Sequence, residues 1–245
     1  MMRNIEKSTR FYERTRLELP IAVDYFEDGA TRTEIALTNE VAACGIGFVL
    51  SYPVEPKRLV KLKLAMPKNL RFFDYGEAFY EVWAIVSSVQ FIDTKTPGKF
   101  LFRIGTALIG KNPPAGFERD PFTLYDLNPV LPKQGFWHFR EIPAKRGRYS
   151  RTLEERENYK LNVVIQTLGN DGKIIETLEA KTKDISESGA AVIAKPEFPC
   201  PKFVIVASEE GDISLLAVVH HVKPSEESGV LEINLEFISG KWHFL

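Results

Sequence analysis

The chain has 245 residues, 44% hydrophobic and 27% charged, with a formal net charge of -1. That length is comfortable for two domains and that composition is ordinary for a folded globular protein, while near-neutral charge excludes a global field aimed at nucleic acid or an acidic membrane. Only two cysteines occur, Cys44 and Cys200, which excludes a disulfide framework and a zinc cluster.

The opening residues are charged, with no signal peptide in view. The apolar runs, such as 190–194, fall far short of the roughly 20 residues a membrane span needs. A cytoplasmic protein with no membrane span is therefore expected. Arg10-Phe11-Tyr12-Glu13-Arg14 follows, two arginines at i, i+4, a spacing that suits a salt-bridged face as well as a grip on a ligand.

Strand signals dominate the rest of the first half. Residues 17–25, 59–66, 82–92 and 100–109 alternate or are rich in Val, Ile and Phe, and 93–99 has the composition of a hairpin turn. Alternation means one buried and one wet face, as in antiparallel sheets and barrels. Residues 110–143 then collect Pro113, Pro114, Pro121, Pro129, Pro132 and Pro143 among Phe117, Phe122, Phe136, Trp137 and Phe139. Prolines forbid long regular elements here, and so many aromatics predict a segment packed against a barrel rather than a free linker.

Between positions 140 and 160 stand seven basic and four acidic residues, with Lys145, Arg146, Arg148 and Arg151 as the basic cluster. A short helix is expected over 153–160. The second half then repeats the first: strands at 161–168, 174–182, 203–207, 215–222 and 230–238, with Gly169-Asn170-Asp171-Gly172 turning the first pair. Thr182-Lys183-Asp184-Ile185 with Gly189 registers on Thr38-Asn39-Glu40-Val41 with Gly45, an offset of 144. Ala217 to Val222 registers on Ala84 to Val89 at 133, which places an insertion in the first half near 69–80.

The segment with most chemistry is Asp184-Ile185-Ser186-Glu187-Ser188-Gly189, a D-x-S-x-x-G. On an extended chain Asp184 and Ser186 leave the same face. A carboxylate there can accept from the N1–H and N2–H2 edge of guanine, a hydroxyl can bond a phosphate or a base, and a glycine allows the backbone a path that a side chain would block. Nearby arginines would neutralise phosphate and stack on purine faces. The other reading of the same residues is an Asx-type turn between two strands. His220 and His221, on opposite sides of a strand, are not expected to share a metal. No phosphate-binding loop, nucleophile elbow or zinc-protease motif is present, so the chain is not expected to be an enzyme.

These residues resemble the PilZ family, small β-barrels that bind cyclic di-GMP and are marked by R-x-x-x-R before the first strand and [D/N]-x-S-x-x-G after the second. The resemblance covers roughly 10–110 and 145–240. It implies an all-β chain of two small antiparallel β-barrels, PilZ-like and of split-barrel type, in tandem with short helices. The domains would be 1–112, an N-terminal barrel with a degenerate motif; 113–144, a packed Pro- and aromatic-rich linker; and 145–245, a C-terminal barrel with the full motif. The first half keeps Arg10 and Arg14 but has Glu40 and Ala42 for Asp and Ser; the second keeps Asp184, Ser186 and Gly189 but offers Arg156 and Lys160 as R-x-x-x-K.

The resemblance implies a non-enzymatic cyclic di-GMP receptor. Asp184, Ser186 and Gly189 would hold the ligand, with Arg148, Arg151, Arg156 and Lys160 supplying phosphate charge and stacking. Ligand would order the basic lead-in and reorient the barrels toward a downstream protein in motility or biofilm control. No cofactor, metal or nucleic-acid partner is expected. The alternative is a PilZ-like adaptor that has lost the nucleotide and acts by protein contact, favoured by the missing arginine pair next to Asp184.

Overall fold

The computed structural model describes residues 14–130, 132, 135–143, 159–197, 199–225 and 229–244. Two closed six-stranded antiparallel barrels follow one another in the chain. The first consists of β1 (Pro20–Glu27), β2 (Ala30–Ala42), β3 (Gly45–Leu50), β4 (Leu59–Leu64), β5 (Tyr80–Asp93) and β6 (Phe100–Gly110), in the order β1-β2-β3-β6-β5-β4. After α1 (Ala115–Arg119) and the paired short strands β7 (Tyr125–Leu127) and β8 (Phe139–Glu141) comes the second. It consists of β9 (Asn162–Leu168), β10 (Ile174–Ser186), β11 (Gly189–Ala194), β12 (Phe203–Ser208), β13 (Ser214–Pro224) and β14 (Leu231–Phe237), and its cyclic order is the same. The all-β fold of two antiparallel barrels that the sequence predicts is the fold observed.

By contact density the chain divides into two compact units. The first comprises Met1–Val49, Lys57–Ser87 and Gly105–Ile142, the second Leu50–Pro56, Ser88–Ile104 and Pro143–Leu245. In the first unit, Val23, Leu62 and Val82 are fully buried. They alternate with outward residues such as Asp24, Lys63 and Glu81, as a half-wet sheet requires. The proline- and aromatic-rich segment packs on the outside of this sheet. Tyr125 is buried against Leu59 and Ile85, with Trp83, Phe117, Leu127 and Phe139 around it. Burying one such ring contributes on the order of 2–3 kcal/mol, so the aromatics hold this segment down.

β2 runs against the hydrophobic pattern. Glu34 lies opposite the buried Val23 and Arg32 opposite Tyr25, while Ile35 and Leu37 face outward, 72% and 55% exposed. That inversion is why the sequence reading assigns no strand to residues 30–42.

In the second unit, Val163, Ile165, Ile185, Val192, Val204, Ile233 and Leu235 form the barrel core. The turn Gly169–Lys173 receives a hydrogen bond from Phe100 N to Gly172 O at 2.9 Å. Gly172 has φ +74°, and a Cβ there would meet the Phe100 carbonyl oxygen at 2.4 Å. Glycine therefore fits both the conformation and the space.

The two barrels share a strand register. Phe203 opposite Val218 repeats Leu59 opposite Ile85 at offsets of 144 and 133, the offsets visible in the sequence. The difference arises between β4 and β5, where the chain spends residues 65–79 on a connection that β12 and β13 make with 209–213. Arg71, 5% exposed, organises that insertion. Its Nε donates to Met66 O at 2.8 Å, Nη1 to Asp74 O at 3.0 Å and Glu77 O at 2.8 Å, and Nη2 to Ala78 O at 3.3 Å. The guanidinium carbon lies 5.7 Å from the Tyr80 ring centre.

Arg71→Ala strips four carbonyls of a charged donor and is expected to lower unfolding free energy by about 3 kcal/mol in urea titrations. Arg71→Lys should recover only part of this, because an ammonium cannot span the same acceptors. Lys61 and Lys63 each contact Glu81 at 2.8 Å and hold its carboxyl down to about 2. A depressed carboxylate stabilises the fold above its ordinary value of 4.5, and that contribution fades as pH falls toward 2. Glu81→Gln should flatten the stability–pH curve in that window and change stability at pH 7 by under about 1 kcal/mol, since the pair is exposed.

Candidate functional site

The D-x-S-x-x-G residues close the β10–β11 hairpin of the second barrel. Register shifts between Thr182 and Asp184, leaving Lys183 as the extra residue of a bulge; then Asp184 faces Ala191, Ile185 faces Ala190 and Ser186 faces Gly189. Ile185 points into the core, so Asp184 and Ser186 share the outer face. Asp184 is half-buried. Ser186 is buried, and its hydroxyl donates to Gly189 O at 3.3 Å. At Gly189 a Cβ would stand 2.4 Å from Leu235 O on β14, so glycine is required by the approach of two paired strands. Gly45 repeats this in the first barrel, 2.7 Å from Thr106 O.

Cross-strand pairing extends the outer row beyond the motif. Ala191 pairs with Asn234, which pairs with His221. These neighbours of Asp184 come from distant sequence, and nothing local in the chain marks them. The row below is charged: Glu232 contacts Lys183 and Lys223, each at 2.9 Å, and Lys183 foremost holds its carboxyl below the usual range. A bulge between Val219 and His221 breaks the simple alternation expected of His220 and His221, and His220 Nε2 lies 2.5 Å from Glu236.

Thr182 anchors the lead-in to β9. Its hydroxyl bonds Tyr159 O and accepts from Leu161 N at 2.8 Å, and its own N donates to Leu161 O at 2.9 Å. Lys160, between the two anchored residues, is exposed. Arg148, Arg151 and Arg156, and the helix expected up to 160 except its last two residues, lie outside the described residues.

The first barrel carries the same clamp. Thr38 bonds Leu17 O and accepts from Leu19 N at 2.9 Å. There the lead-in continues along β2: Thr15 N donates to Val41 O at 3.0 Å, Val41 N returns the bond at 2.9 Å, and Arg14 forms an ion pair with Glu40. The structure thus joins an arginine of R-x-x-x-R to the acid in the Asp position. Ala42 sits where the hydroxyl belongs, and Arg10 is outside the described residues.

Aligning the clamps, Leu17 with Tyr159 and Leu19 with Leu161, gives an offset of 142. On that offset Arg156 takes the position of Arg14, and Thr152 that of Arg10. The sequence holds this register, but only the clamp fixes it.

The C-terminal residues close on the motif turn. Trp242 N donates to Glu187 O at 2.9 Å, Phe237 N to Ser188 O at 2.8 Å, and Lys241 Nζ lies 2.6 Å from the Glu187 carboxylate, holding that carboxyl below its usual range. Trp242 is buried and stacks on Phe237, while the ring of Phe244 lies 5.7 Å from that of Tyr159.

Elsewhere, a cavity of about 540 Å³ lies on the outside of the first barrel, lined by Lys61, Lys63, Phe79, Glu81, Trp83 and Lys111 among others. Its lysines are paired with Glu81 and Asp74. Burial raises the Cys44 thiol and pushes Cys200 up to about 11, which keeps both protonated near neutrality.

Among solved structures the chain is similar to the Bacillus subtilis inhibitor of motility (MotI/DgrA), at 12% identity over 91% of this chain and 88% of that one, with a TM-score of 0.27. It is also similar to Borreliella burgdorferi PlzA in complex with c-di-GMP (12% identity, 92% and 86% covered, TM-score 0.28). A third is Escherichia coli YcgR in complex with c-di-GMP (11%, 90% and 76%, 0.25). At such identities and TM-scores none of these likenesses carries a functional argument. No curated protein matches the chain by sequence. The PilZ domain family model matches residues 146–241, which span the second barrel and its D-x-S-x-x-G turn. The second barrel is thus the part of the chain that matches the PilZ domain family.

Proposed function

We propose that the second barrel is a non-enzymatic receptor for cyclic di-GMP. The observation that carries the reading is the PilZ match over 146–241, with Asp184 and Ser186 together on the outer face of a closed barrel. In this reading Asp184 accepts hydrogen bonds from a guanine edge and the Ser186 hydroxyl bonds the nucleotide beside it. Gly189 preserves the strand approach that places both. Arg148, Arg151, Arg156 and Lys160 supply positive charge to the phosphodiester, with Arg156 in the role of Arg14 on the clamp register.

The first barrel differs at the same positions. Arg14 is paired with Glu40, and Ala42 offers no hydroxyl. It serves as a docking surface for a downstream protein in motility or biofilm control, engaged when ligand orders the basic lead-in and reorients the barrels. One observation favours a second reading, an adaptor without ligand: Thr152 stands where the register asks for the first arginine.

Calorimetric titration of cyclic di-GMP into the whole chain is the test. Saturable binding is expected, weakened about tenfold or more in Asp184→Ala and in Arg156→Ala, each removing charge-assisted hydrogen bonds of about 1.5–3 kcal/mol. Arg148→Ala with Arg151→Ala should weaken it as well. Gly189→Ala is expected to lower the melting temperature whether or not ligand is present, because its Cβ meets backbone. Absence of heat at high micromolar ligand would leave the adaptor reading.

A further inference from the structure

We infer that the N-terminal half of β2 is a strand edge that pairs antiparallel with the same edge of a second copy of this chain, giving a symmetric dimer. This interface goes beyond the receptor reading and does not depend on nucleotide. On one side β2 pairs with β1 over residues 30–37. On the other it meets β3 only from Thr38 onward, so among the described residues 30–37 has no strand on that side. Asp28 and Gly29, both at positive φ, turn the β1–β2 hairpin, and Glu27 faces Ala30 across the turn. In such a turn the closing pair exchanges both backbone hydrogen bonds, and every second pair after it does the same. Thr38 N, donating to Leu19 O at 3.0 Å, continues that series. Arg32, Glu34 and Ala36 therefore bond toward β1, while the amides and carbonyls of Thr31, Thr33 and Ile35 point to the open edge.

Charge chooses the partner and the register. Arg32 and Glu34 lie on the inner face of β2, with Thr33 between them. An antiparallel copy related by a two-fold through Thr33 places Thr33 on Thr33, Thr31 on Ile35, and Arg32 on Glu34 from both sides. The first two fall at hydrogen-bonded positions. The charged pairs fall at non-hydrogen-bonded positions, where side chains come closest. A two-fold through Arg32 or through Glu34 would set like charge on like. Arg32 is bonded to Asp28 of its own chain at 2.6 Å; neither it nor Glu34 has to release a contact, since sign alone sets the register. Inward charge of one sign would protect an edge, but an opposite pair spaced this way matches its own copy, as an isologous interface requires. On the outer row Ile35, 72% exposed, gains cover.

The second barrel treats the matching stretch differently. β10 shifts register against β9 between Ile174 and Glu176, and Glu197 N, from the chain after β11, donates to the Glu176 carboxylate at 2.8 Å. A bulge and an approaching loop are ordinary protections of an edge. Among the described residues β2 has neither over 30–37, where its pairing with β1 runs without a shift.

The test is sedimentation of the whole chain without nucleotide. Wild type is expected to dimerise at high micromolar chain. Arg32→Glu and Glu34→Arg each set like charges across the edge and should weaken dimerisation about tenfold or more. Mixing the two variants should restore it as a heterodimer, and so should both substitutions in one chain. Ile35→Lys, at a position too exposed to matter to the fold, should weaken it too. A monomeric wild type would overturn the dimer and leave the receptor reading standing. Single swaps and Ile35→Lys that dimerise like wild type would overturn this edge as the interface. Swaps that lose dimerisation without rescue on mixing would overturn the register.

Discussion

Each barrel closes through one place where two backbones come too near for a side chain. The third strand must pair with the sixth to complete the cycle, and at its first residue the sixth strand's carbonyl lies where a Cβ would be: Leu235 O beside Gly189, Thr106 O beside Gly45. With the approach fixed, the turn before it is fixed as well. Phe237 N donates to Ser188 O in the second barrel and Leu108 N to Cys44 O in the first. Asp184 and Ser186 owe their shared outer face to this closure and to the bulge at Lys183. The glycine of D-x-S-x-x-G is thus a requirement of the barrel first, and the side chains before it are free to vary because it holds the backbone.

A second constraint sets the lead-in. The buried threonine of each barrel, Thr38 or Thr182, bonds a carbonyl and an amide two residues apart in the incoming chain. Leu17 and Leu19 in the first barrel, and Tyr159 and Leu161 in the second, are thereby tied to the strand bearing the acid. With that frame the same in both barrels, their differences are chemical. In the first, Arg14 meets Glu40 and the hydroxyl position is alanine. In the second the carboxylate and hydroxyl are intact, and the ring of Phe244 lies 5.7 Å from that of Tyr159. A common frame with divergent side chains is what a duplicated unit leaves.

Legibility in the sequence followed burial. Alternating strands such as β4 and β9 were readable because one face is buried and the other wet. β2 was not, because its overhanging end reverses the pattern: Arg32 and Glu34 face the side of Tyr25 and Val23 while Ile35 and Leu37 face water. The insertion was placed by a change in repeat offset, but Arg71, the group that organises it, looks like any surface arginine in the sequence. Its role depends on four carbonyls from its own loop folding around it.

The sequence alone carried the all-β class, the duplication and the D-x-S-x-x-G residues, because alternation and motif spacing are local properties of the chain. Tertiary structure alone decided what stands around these residues and their counterparts. That Asn234 and His221 line up beside Asp184, that Arg14 reaches Glu40, and that Phe244 returns to Tyr159 are consequences of strand register and barrel closure. A one-residue slip in pairing would turn each of these side chains to the other face, and register is fixed by long-range hydrogen bonds that no local pattern encodes.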